Sequence, residues 1–72
     1  MKYLVIEIQK QTDGTISNIT TPFDEKRLAL SAYHTACAAA AVSDLPVHSV
    51  ICINEDAMVI ERKVYKVPEV EE

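Results

Sequence analysis

Two stretches of this chain carry apolar residues on alternate positions and keep apolar residues on the intervening ones too. In "YLVIEI", Leu4, Ile6 and Ile8 point one way and Tyr3, Val5 and Glu7 the other. The β-branched content predicts a strand over 3–9. The second stretch, "VHSVICIN", places Val47, Ser49, Ile51 and Ile53 on one side and His48, Val50 and Cys52 on the other. Between them the period changes. After Pro22, Asp24 suits a helix N-cap, and Phe23 with Leu28 suits a hydrophobic staple. A helix to about Val42 then gathers Leu28, Ala29, Ala32, Tyr33, Ala36, Cys37, Ala40 and Ala41 on one broad face.

The remaining elements follow from the punctuation. "TDGT" predicts a hairpin turn of type I′, because Asp-Gly accepts positive φ at both central residues. A polar return strand over 15–20, ended by Pro22, reads as an edge. "SDLP" stops the helix, since Pro46 biases Leu45 toward an extended conformation. "NEDA" turns the chain into a last strand over 57–67, where Met58, Ile60 and Val64 alternate with Val59, Tyr65 and Val67. The order is ββαββ. Placing the two most apolar strands in the centre predicts a four-stranded antiparallel sheet of order 2-1-3-4, an α+β fold with the helix on one face. A β-grasp arrangement shares the element order but needs a looser connection than "NEDA". The expected organisation is one domain over 1–67 and a solvated, disordered acidic tail over 68–72.

One helix covers one face of such a sheet, yet both faces are apolar. An antiparallel sheet with a solvated face normally shows polar residues there, and an exposed apolar face marks an interaction surface. The expected interface is Tyr3, Val5, Ile51 and Ile53, and the expected partner is a second copy, as a homodimer or higher homo-oligomer, or another protein. The alanine run keeps the helix slim, so Ala36 and Ala40 are expected against the sheet and Ala38 on the outer side.

Composition narrows the function classes. With 72 residues the chain is one domain of marginal size. Its two cysteines are too few for a disulfide framework. The net charge is −4, and three of the acids stand in the tail, so eight acidic residues face seven basic ones in the body. That balance predicts no nucleic-acid binding, which calls for clustered Lys and Arg. No segment approaches a membrane span or a signal peptide, so a cytoplasmic protein with reduced thiols is the default.

Candidate chemistry is sparse. His34, Cys37, His48 and Cys52 form H-x2-C and H-x3-C pairs, suitable zinc ligands by type but not at zinc-finger spacing. Cys37 belongs to the core side of the helix and His34 to its edge. The expectation is no metal and no cofactor. Neither Cys–His pair has an orienting Asn or Asp or an oxyanion loop, and one Gly excludes a Gly-rich phosphate loop, so no catalytic residue is assigned and no enzyme is expected. Tyr33, His34, Ser43 and His48 are a candidate polar groove for a small ligand, where the helix end meets the third strand.

The strings "KYLVIEIQ", "DG", "YH", "AAAAVSDLPVHSV" and "YK" resemble a family of small uncharacterised proteins encoded in Gram-positive bacteria and their prophages. The likeness runs to about Lys66. Its pattern carries onto Tyr33, His34, residues 38–43, Pro46, Val47 and His48, while Cys37 stands where a larger aliphatic residue is usual. It implies a bacterial cytoplasmic protein, prophage origin included, and no established activity. Two functions follow as expectations: a non-enzymatic module that self-associates through the open sheet face, or a small-ligand binder, such as a phage-encoded sponge for a nucleotide signal, using an intersubunit groove near His34 and His48.

Overall fold

The two doubly apolar segments are the central strands of a four-stranded antiparallel sheet. In a computed structural model that describes residues 2–66, β1 (Tyr3–Lys10), β2 (Ile16–Phe23), α1 (Lys26–Ala41), β3 (Val47–Asn54) and β4 (Val59–Lys66) follow in that order. The sheet order is β2-β1-β3-β4, with every neighbouring pair antiparallel. This is the expected α+β arrangement. Val67 and the tail over 68–72 lie outside the described residues.

Because β2 and β3 both run antiparallel to β1, they are parallel to one another. The passage from β2 through α1 to β3 is therefore a crossover, which needs a helix-length connection. The helix lies over the central strands, and its buried stripe is Ala29, Tyr33, Ala36 and Ala40. Spacings of four, three and four residues place these side chains on one line. Opposite them, Val5, Val50 and Cys52 complete the buried core, with Tyr3, Phe23, Leu30, Ala32, Cys37, Ile60 and Tyr65 packed around it. Three of the seven buried hydrophobic residues are alanines. Small side chains let the helix backbone approach the sheet. As expected, Ala36 and Ala40 are on the sheet side and Ala38 is exposed.

Several local expectations are corrected. The helix begins one residue later, with Glu25 as the N-cap and no side-chain capping bond. Leu28 is 48% exposed and Ala41 is also on the outside, so the packed face is narrower than the sequence period implies. β2 continues through Pro22 to Phe23 instead of stopping before it. An edge strand tolerates proline because alternate N–H groups there point away from the sheet.

The β1–β2 turn is a three-residue loop with positive φ at Gly14 alone, closed by Gln11 N–H to Thr15 O at 2.7 Å and Gly14 N–H to Gln11 O at 3.0 Å. It is not the two-residue type I′ turn. Asp13 contributes through its carboxylate instead, which accepts the Thr15 N–H at 2.8 Å. Ser43 Oγ in turn accepts the Leu45 N–H at 3.1 Å, which helps turn the chain after α1.

A register irregularity between Cys52 and Ile53 changes the faces of β4. Cys52 stands opposite Glu61 and Ile53 opposite Val59, leaving Ile60 as the extra residue. Such a bulge re-aims a side chain. Here Ile60 packs against the core, so it does not share a face with Val64 as simple alternation predicts. The β3–β4 turn is held by Asn54, whose Oδ1 accepts the N–H groups of Asp56 and Met58, both at 2.9 Å.

Candidate functional site

Strand register sorts the sheet residues into two faces. The covered face carries Tyr3, Val5, Glu7 and Gln9 of β1, and His48, Val50 and Cys52 of β3. Among the described residues no helix lies over the other face. Read across β2-β1-β3-β4, its rows are Pro22-Leu4-Ile53-Val59, Thr20-Ile6-Ile51-Arg62, Asn18-Ile8-Ser49-Val64 and Ile16-Lys10-Val47-Lys66. Leu4, Ile6, Val47, Ile51 and Ile53 are half-buried by their neighbours in the sheet, while Ile8, Val59 and Val64 are exposed. The short Ser49 side chain lies at a shallow hollow of about 140 Å³, bordered by Ile8, Ile51, Arg62 and Val64.

This open face differs in charge from the rest of the molecule. Lys10, Arg62 and Lys66 stand on it. Among the described residues no carboxylate does: Glu7 and Glu61 are on the covered side by register, and the other acids occupy turns and loops. An acidic chain therefore presents an apolar face with a cationic border.

Of the four expected interface residues, Ile51 and Ile53 belong to the open face. Tyr3 and Val5 do not: Val5 is 5% exposed in the core beneath α1, and Tyr3 packs beside it. The reason is the pleat, which sends neighbouring residues of one strand to opposite sides. The β1 residues on the open face are instead Leu4, Ile6 and Ile8. Their common phase was visible in the sequence; their register with Ile51 and Ile53 was not.

The four residues of the expected polar groove have separate surroundings. Tyr33 is buried, and its ring meets the exposed His34 edge-on at 5.2 Å. Ser43 is engaged with Leu45. His48 is buried, and its Nε2 lies 3.1 Å from Glu7 Oε1. A carboxylate only accepts, so Nε2 donates its N–H toward Glu7. The ring's Nδ1 is buried and has no hydrogen-bond partner among the described residues. Glu7 is the residue that the sequence reading missed; its parity with Val5 and the length of its side chain were the only signals.

The candidate zinc ligands are similarly dispersed. Cys52 is wholly buried beneath the helix and Cys37 half-buried on it, while His48 is paired with Glu7. Among the described residues no group of three or more His, Cys, Asp and Glu can hold a metal ion. No helix among them is long and apolar enough to cross a membrane.

Burial pushes the Tyr33 phenol well above its ordinary pKa, with the neighbouring Cys37 and the charges of Glu61 and Tyr65 adding to the effect. The Cys52 thiol is raised for the same first reason, further by Glu61, and opposed by Lys26. The folded state thus favours neutral Tyr33, whereas the unfolded chain ionises it from its ordinary value of 10.0. This contribution to stability is present below that value and lost as pH rises past it. The thermal midpoint of the wild type is expected to fall above about pH 10, and Tyr33→Phe to flatten part of that fall. Parallel midpoint-versus-pH curves for the two proteins would contradict the assignment.

Comparison with protein-family models, with curated proteins and with solved structures returns no match.

Proposed function

We propose that this chain is a small, non-enzymatic interaction module that self-associates through the open face of its sheet. The observation that carries the reading is the set of Leu4, Ile6, Ile8, Val47, Ile51 and Ile53, which runs down both central strands with no element among the described residues over it. Exposed apolar patches of this kind mark interaction sites. The small core adds weight, because a domain of this size gains stability by covering more apolar surface in an assembly.

A second copy is the occupant that the dimensions favour. Four strands about 4.8 Å apart and eight residues long present a face of roughly 500 Å². Pairing two such faces buries about 1,000 Å² in total, the lower bound for a biological interface. A self-complementary apolar face needs no other protein to reach it.

Ile51→Lys is the test, because it charges the middle of the open face while leaving the core beneath α1 untouched. Wild type is expected to sediment as a dimer or larger species at micromolar concentration, and Ile51→Lys as a monomer with unchanged circular dichroism. A wild type that remains monomeric at high micromolar concentration overturns the reading.

A further inference from the structure

The open face has an electrostatic polarity along its strands, and that polarity chooses between two ways of stacking two copies. Lys10 and Lys66 share the last row, at the end where β1 finishes and β3 begins, and Arg62 is nearer the middle. At the opposite end, where Lys2 precedes Leu4 on β1, the β3–β4 turn carries Glu55 and Asp56, both exposed; two carboxylates against one lysine leave one net negative charge there, against two positive ones in the lysine row. The turn's shape is set by the two bonds to Asn54 Oδ1, so these carboxylates are held on an ordered support.

Two sheets joined face to face by a two-fold axis can have their strands running the same way or opposite ways. With the strands running the same way, the lysine rows coincide. Four ammonium groups then stand on four strands about 4.8 Å apart, so that neighbouring ones fall within the roughly 8 Å screening length of physiological salt. With the strands reversed, each lysine row lies over the partner's far end. The axis then runs across the strands, so β4 lies over β4. Lys66 stands over Val59 and beside the turn of the other copy, and Arg62 stands over Val64.

We infer that the protein forms an antiparallel sheet-on-sheet dimer in which Lys66 of each copy meets Glu55 and Asp56 of the other. The inference rests on the self-association reading and adds the orientation of the second copy. Paired sheets lie about 10 Å apart, a gap that a lysine and a turn carboxylate bridge together. The apolar residues supply the contact and the charges supply the register, the usual division of roles at an interface. The contact occurs twice by symmetry.

The experiment is a charge swap in the full-length chain, read by sedimentation and native mass spectrometry at low salt. Lys66→Glu alone, and Glu55→Lys with Asp56→Lys together, should each weaken self-association by about tenfold, since two exposed ion pairs are turned repulsive. Mixed in equal amounts, the two variants should form heterodimers well above the statistical share, and added salt should erase the preference. Unchanged circular dichroism establishes that both variants fold. If both variants self-associate like wild type and mix statistically while Ile51→Lys still dissociates, the orientation is wrong and the face is right. If wild type is monomeric, both are wrong.

Discussion

Val5→Lys is expected to abolish the cooperative fold, whereas Ile51→Lys leaves it standing. The two valine and isoleucine positions lie on neighbouring central strands, but on opposite faces of the sheet. Val5 is in the core under α1, bounded by the buried Cys52 of β3. An uncompensated charge at such a site costs on the order of 3–5 kcal/mol. A domain near the lower limit of independent size has about 5 kcal/mol in total, so the substitution removes most of it. Urea unfolding with circular dichroism measures the outcome. Val5→Lys should lack a folded baseline in water, while Ile51→Lys should keep a transition. A Val5→Lys protein that unfolds with the wild-type midpoint would place the helix on the other face and reverse the assignment of the open one.

Ala40→Leu is the second large effect. Ala40 is 2% exposed at the end of the stripe formed by Ala29, Tyr33 and Ala36. Three added carbon atoms at so buried a position push the helix off the sheet. Overpacking of this kind costs about 1–3 kcal/mol. In a domain of this size each 1 kcal/mol lowers the thermal midpoint by roughly 4–8 °C. Ala38→Leu, two residues away on the exposed side, is the matched control and should stay within about 0.5 kcal/mol of wild type. Equal melting of the two variants would mean that the alanines do not set the distance between helix and sheet.

Much of the architecture was legible because it follows from local periodicity. Alternation in 3–8 and 47–54 announced two strands apolar on both sides. The shift to helical spacing after Pro22 announced one helix, and placing the greasiest strands in the centre announced the order 2-1-3-4. The alanine stripe was equally readable, since residues four and three apart on a helix must share a side.

The face that the helix takes was a different kind of question. Leu4, Ile6 and Ile8 are as apolar as Tyr3 and Val5, and Ile51 is as apolar as Val50, so hydrophobicity offers no preference. The chain's course decides it. β2 and β3 are parallel strands joined by a helical crossover, and the right-handed twist of strands leaves such a crossover one hand. Only the register of all four strands then says which side chains lie beneath it. The same holds for Ile60, turned to the core by a bulge, and for His48 with Glu7, 41 residues apart in sequence. The sequence alone determined the elements, their order and the excess of apolar surface, because these depend on neighbours along the chain. The tertiary structure decided which surface stays open and that the charges of the described residues on it are positive, because those depend on residues that meet only across strands.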